Sequence, residues 1–221
     1  MIYEHVLWPQ QKRMISLVDQ FSESFVLVWG TAIALHIGHR YSIDFDLFGP
    51  DMDTLPRSHI DRILHTSPYT WQILVDTDIH YEVLIAGVKI TWYAYPYSLK
   101  AGPKKLSKIG IPPLITLAVM KAHAIQRRAK WKDYVDMALL TSHLTVPNIV
   151  EEAKHKFGWA FSAKLFAAQL IYTDDIDYTE EVQRLDWHEV SRSDILRILH
   201  DVSMQIGKDL WLQQKWPSLK L

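Results

Sequence analysis

The chain has 221 residues and a mass of 25.8 kDa, is 48% hydrophobic and 22% charged, and carries 24 basic against 25 acidic side chains for a formal charge of −1. That composition is globular, long enough for one large domain or two small ones, and it excludes disorder as the dominant state. With no cysteine, a disulfide framework, a thiolate zinc site, an iron–sulfur cluster and a cysteine nucleophile are excluded as well.

The predicted elements run as follows. After Pro9, the residues Met14, Leu17, Val18 and Phe21 fall at helical spacing, which predicts an amphipathic helix over 10–22. Phe25 to Trp29 is a short apolar run ending at Gly30, read as a buried strand entering a turn. The stretch AIALHIGH after Thr31 predicts a short helix, and Arg40-Tyr41-Ser42 leads into a second strand over 43–48. That strand alternates with period two, so Asp44 and Asp46 share one face, about 7 Å apart, while Ile43, Phe45 and Leu47 face the other way. Thr54 and Pro56 can start a helix carrying Ile60, Ile63 and Leu64. TWQILVD, HYEVLIA and VKITWYAY read as strands, the last two separated by a turn near Gly87.

From about residue 112 the period becomes helical and stays so: ITLAVMKAHAIQRRA, KDYVDMALLTSH, a helix after Pro147 that stops near Gly158, FSAKLFAAQLIY, and DILRILHDVSMQIGKDLW. The Pro-, Gly- and Lys-rich KAGPKKLSKIGIPP reads as the connection. The expected architecture is α+β, with a mixed-sheet domain over 1–105 and an α-helical bundle over 106–221. MIYEHVLWPQ lacks the basic start and apolar core of a signal peptide, and no window reaches the roughly 18 to 20 apolar residues of a membrane span. A soluble cytoplasmic protein without a membrane partner is expected.

The small net charge hides its distribution. Residues 1–99 hold 6 basic and 11 acidic groups, residues 100–132 hold 9 basic and none acidic, and residues 133–221 hold 9 basic and 14 acidic. A strip without one carboxylate, including Lys100, Lys104, Lys105, Lys108, Arg127, Arg128, Lys130 and Lys132, is an electropositive feature suited to phosphates or a nucleic-acid backbone. It also reads as a solvated loop and helix end.

The motif with most chemical content is Gly30-Thr31, then 12 intervening residues, then Asp44-Phe45-Asp46. A small turn opening a helix suits an anion, because backbone N–H groups and the helix dipole point at it. Two carboxylates on one strand face offer the hard oxygen ligands that Mg²⁺ takes together with substrate phosphates. His36 and His39 lie three apart, but a third ligand at zinc spacing is missing. Of the aromatic residues, Trp92, Tyr93, Tyr95 and Tyr97 alternate in a way that could offer a ring to a base.

The string WGTAIALHIGHRYSIDFDLF resembles the first motif of the nucleotidyltransferase superfamily and, more narrowly, that of the AbiEii/AbiGii-type abortive-infection toxins. The likeness extends to Val88-Lys89-Ile90 with Tyr95-Pro96-Tyr97, to Leu117-Ala118-Val119-Met120-Lys121-Ala122-His123-Ala124, and to Lys132-Asp133-Tyr134-Val135-Asp136 with Leu139-Leu140. These four blocks stand in the family's order over residues 28–140. The resemblance implies Gly30 and Thr31 as the phosphate-side turn, Asp44 and Asp46 as ligands of a catalytic Mg²⁺, and Arg40 and Ser42 flanking the triphosphate. It implies Lys121 as a charge clamp on the phosphates and Asp133 and Asp136 as the acidic block, which helical spacing lets point into one cleft.

Transfer of NMP from an NTP to an acceptor hydroxyl is the implied reaction, with the tRNA 3′ end as a candidate acceptor and a separate antitoxin as a candidate partner. One departure stands out. The superfamily's third carboxylate has no counterpart among Lys89, Thr91 and Tyr93, and Glu82 is the nearest alternative. Two rivals stay open: an enzyme of the same fold acting on a small molecule or a protein, for which the basic strip would be incidental, and, given the missing carboxylate, a catalytically silent relative that binds nucleotide or RNA.

Overall fold

The computed structural model describes residues 1–180, 182–183 and 190–215. They form two compact units, one built on Met1–Leu117 and the other on Ala118–Val182 with the C-terminal helix. The first holds three helices, α1 (Pro9–Val18), α2 (Trp29–Ile37) and α3 (Arg57–Thr66). Its strands are β1 (Val26–Val28), β2 (Asp44–Pro50), β3 (Gln72–Asp76), β4 (His80–Ile85), β5 (Val88–Tyr95), β6 (Lys105–Leu106) and β7 (Ile109–Gly110). They make one mixed sheet of order β3-β4-β5-β2-β1-β7-β6, in which β2 runs antiparallel to β1 and parallel to β5.

Alternation along the strands divides the sheet into two faces. On the core face Phe45, Leu47, Val83, Ile85 and Ile90 are fully buried, and Trp92 stacks on Tyr81 with ring centroids 5.8 Å apart. Phe21, in the 3₁₀ turn that continues α1, meets Trp92 edge-on at 5.0 Å. The Arg57 guanidinium of α3 lies 3.4 Å above the Tyr81 ring. Amphipathic α1 and α3 bury Met14, Leu17, Val18, Ile60, Ile63 and Leu64, each apolar side chain contributing about 1.5–3 kcal/mol. Trp92 is thus core, on the face opposite Asp44, and is removed from the rings that could meet a base.

Two local departures from the sequence expectation bear on function. Trp29 does not end a strand but begins α2, with φ 55°, a left-handed backbone that costs a bulky residue about 1–2 kcal/mol and turns the chain from strand to helix. The segment read as a plain connection contains the hairpin of β6 and β7, turning at Ser107 with φ 53° and joined to the sheet where Gly110 pairs with Val26. Two-residue strands have no period to detect, so only pairing with β1 defines them.

The second unit is helical: α4 (Leu114–Ile125), within which the division falls, then α5 (Trp131–Leu140), α6 (Val146–Phe157), α7 (Ala163–Ile171) and α8 (Arg192–Lys215). Pro147 sits in the first turn of α6, Gly158 ends it with φ 54°, and the Ser162 hydroxyl caps α7 by accepting from the Leu165 N–H at 3.2 Å. α8 packs on α5, α6 and α7, burying Ile195, Leu199 and Ile206. Among the described residues no helix is long and apolar enough to cross a membrane.

Candidate active site

The polar face of the sheet collects chemistry from three neighbouring strands through register alone. Asp44 pairs with Lys89, Asp46 with Thr91, and Thr91 in turn with Glu82, so these side chains stand on one face in two adjacent rows. Asp44 and Asp46 are half-buried, while Phe45 and Leu47 between and beside them are fixed in the core. The Lys89 ammonium lies 3.4 Å from Asp44 Oδ2. Burial alone would lower the Lys89 pKa, but Asp44, Glu82 and Asp46 outweigh it and hold it above its ordinary value. Thr91 donates to Glu82 Oε2 at 3.2 Å, and His80 Nε2 stands 3.7 Å from the same oxygen. Among the described residues no three His, Asp or Glu side chains form a group that could hold a metal ion.

The backbone of Asp44 is anchored from two directions. Its carbonyl accepts from Gln11 Nε2 at 3.3 Å and from the Thr31 hydroxyl. Gln11 is fully buried and also accepts the Trp8 N–H, at 3.1 Å. The Thr31 and Ser42 hydroxyls are 2.8 Å apart. Gly30 has a steric reason: a Cβ there would stand 2.5 Å from Arg40 Nη2, so the missing side chain is what admits the buried guanidinium. Val28, at the N-cap of α2, contributes no capping side chain. Gly30, Thr31, Arg40, Ser42, Asp44 and Asp46 are therefore brought together, at a helix N-terminus lined by hydroxyls and a guanidinium beside two carboxylates.

Farther along the same strand Phe48 is ringed by Trp29, Tyr93 and Tyr95, with centroids 4.9, 5.0 and 5.2 Å away. Burial, then the neighbouring tyrosines, push the Tyr95 hydroxyl far above its usual pKa. Sequence reasoning missed Trp29 and Gln11. Trp29 carried one usable signal, its place directly before the helix-opening glycine; Gln11 carried none, being 33 residues from the strand it anchors. His36 Nε2 bonds the Pro112 carbonyl at 2.9 Å, and burial lowers its pKa.

The remaining candidates form a separate group in the second unit. Lys121 on α4 is buried, its ammonium 2.7 Å from Asp133 Oδ1 and 3.0 Å from Asp136 Oδ2 on α5. Arg128 Nε donates to Asp133 Oδ2 at 2.9 Å. Burial alone would raise the Asp133 pKa, but Lys121 and Arg128 outweigh it and hold the carboxyl below the usual range. Lys130 and Lys132 both bind Glu180, whose pKa they depress to about 2 against the opposing effect of burial. Part of the basic strip is thus balanced by carboxylates from outside it.

No protein-family profile matches the chain. The uncharacterised protein aq_aa25 of Aquifex aeolicus is 29% identical over 179 residues, covering 72% of this chain and 82% of its own. The nucleotidyltransferase toxin MenT4 of Mycobacterium tuberculosis matches in structure with a TM-score of 0.60, over 93% of this chain and 85% of its own, at 12% identity. A candidate nucleotidyltransferase of H. pylori matches with a TM-score of 0.54, over 90% and 94% of the two chains, at 15% identity. The chain has the nucleotidyltransferase fold, as the resemblance of its motifs implied.

Proposed function

We propose that this chain is a Mg²⁺-dependent nucleotidyltransferase that moves an NMP from an NTP to an acceptor hydroxyl. The observation that carries the reading is the convergence of the α2 N-terminus, Arg40 and Ser42 on Asp44 and Asp46. Two half-buried carboxylates on one strand face fit Mg²⁺, which takes one or two carboxylates plus substrate phosphates. Bound there, Mg²⁺ supplies charge neutralisation at the reacting phosphate.

The protein's own groups do the rest. The first-turn N–H groups of Gly30 and Thr31, the Arg40 guanidinium and the Ser42 hydroxyl hold phosphate oxygens, a buried guanidinium binding them more strongly than an exposed one. Trp29 and Tyr93, around Phe48, offer ring faces to the base. Lys121, inaccessible between Asp133 and Asp136, is assigned to positioning: it holds α4 and α5 in register, and any contact with phosphate would require it to leave one carboxylate.

For the acceptor we favour an RNA 3′ end, such as that of tRNA, and for the biological role the toxin of a cytoplasmic toxin–antitoxin or phage-defence pair. The AbiEii-like motifs, the likeness to a toxin nucleotidyltransferase and the basic residues of 100–132 support this. The test is incubation with each labelled NTP, Mg²⁺ and total tRNA, with protein and small-molecule acceptors in parallel. Label on RNA from the wild type, and none from Asp44→Asn or Asp46→Asn, is the expected result; no label on any acceptor with any NTP rejects the reading. Thr91, in register with Asp46 where a third carboxylate could stand, favours a second reading, a nucleotide or RNA binder without transferase chemistry. Nucleotide binding without transfer would identify it.

A further inference from the structure

Around the carboxylate pair, one residue has no part in the reading above. Lys89 enters the site from β5, directly opposite Asp44 in register, and its ammonium is 3.4 Å from Asp44 Oδ2. It is not a solvated lysine that happens to touch an acid: its side chain is 30% exposed, and three carboxylates, Asp44, Glu82 and Asp46, act on it in that order of strength. Two residues on, the same strand places Thr91 opposite Asp46, and Thr91 directs its hydroxyl to Glu82 rather than offering a charge of its own.

The charge count on this face of the sheet is decisive. Asp44, Asp46 and Glu82 carry three negative charges, and Lys89 with the nearby Arg40 supplies two positive ones, so a single divalent ion already more than balances the group and a second would meet neither surplus negative charge nor, among the described residues, a third grouped carboxylate. At 3.4 Å from Asp44 Oδ2, the ammonium competes directly with a cation for that carboxylate.

We propose that Lys89 is the permanent cation of this carboxylate pair, holding one flank of Asp44 so that Asp44 and Asp46 together take a single divalent ion. This rests on the transferase reading and its Mg²⁺, and makes Lys89 a positioning residue acting through Asp44. The fixed ammonium offsets part of the Asp44 charge and orients its carboxylate.

The experiment counts bound Mn²⁺ by electron paramagnetic resonance during titration of the full chain without nucleotide, with folding of each variant checked by circular dichroism. Wild type is expected to bind one Mn²⁺ per chain, lost in Asp46→Asn. Lys89→Gln removes the competing charge and is expected to bind Mn²⁺ about tenfold more tightly, or to bind a second ion; Lys89→Arg, which restores the charge, is expected to return to wild-type binding. Wild-type stoichiometry and affinity in Lys89→Gln overturn the proposal while leaving the transferase reading intact. Two ions per wild-type chain, both lost in Asp46→Asn, overturn it likewise. No Mn²⁺ bound by wild type overturns the metal-dependent reading and this proposal with it.

Discussion

Lys121 and Asp133 form an ion pair of 2.7 Å with both side chains removed from water, and Asp136 completes it at 3.0 Å from the other side. A lysine so placed joins two helices rather than lining an open surface. Burying an ammonium and two carboxylates is costly unless all are satisfied, so the cluster is sensitive to loss of any member.

Lys121→Met is therefore expected to cost about 3–5 kcal/mol, lowering the unfolding midpoint by roughly 10 °C for a chain of this size. Thermal unfolding followed by circular dichroism measures it. A variant that lost transferase activity at an unchanged midpoint would refute the positioning role and return Lys121 to direct contact with substrate.

In the second unit, His123 makes stability fall on acidification in an upper window, and Asp133, with Glu180, in a lower one. Burial, aided by the positive Arg127, lowers His123 from 6.5 to about 4, with its ring stacked on Phe157 at 3.9 Å. The folded state then binds this proton less readily than the unfolded chain, so stability is full above about 6.5 and is lost as pH drops toward 4. Asp133, held low by Lys121 and Arg128, contributes stability that is present above the ordinary carboxylate value of about 4 and lost below it. Denaturant unfolding between pH 7.5 and 3 should show both limbs, and His123→Phe should flatten only the upper one. An unaltered profile in His123→Phe would exclude that histidine.

Gly30→Ala separates function from fold. The new methyl would meet Arg40 Nη2 at 2.5 Å, and a flexible guanidinium yields more readily than backbone. Alanine is the better helix former, so stability should stay within about 1 kcal/mol of wild type. Displacing a charge-assisted contact should weaken NTP binding about tenfold or more, read by calorimetry. Undiminished binding would remove Arg40 from the phosphate side.

Glu180→Gln addresses the basic strip. It would release Lys130 and Lys132 from their shared carboxylate. If that strip meets an RNA backbone, two more lysines should tighten binding at low salt and steepen the log–log salt dependence by about 1.5–2 units. Filter binding of tRNA over a salt series would show it, and an unchanged slope would place the acceptor elsewhere or in another chemical class.

What the sequence determined by itself was local. Period-two alternation put Asp44 and Asp46 on one face and Phe45 and Leu47 in the core, and the glycine at the head of an apolar stretch marked the start of a helix, because both patterns depend only on residues within a few positions of one another. The helical second half was legible for the same reason. Tertiary structure alone decided what faces those residues. Strand register set Lys89 beside Asp44 and Glu82 behind Thr91, and a glutamine 33 residues upstream became the anchor of the Asp44 carbonyl. Long-range pairing also turned Lys121 inward and tied Lys130 and Lys132 to Glu180. Charge composition specifies how many such groups exist; which of them neutralise each other depends on packing between segments far apart in the chain, and no local period encodes that.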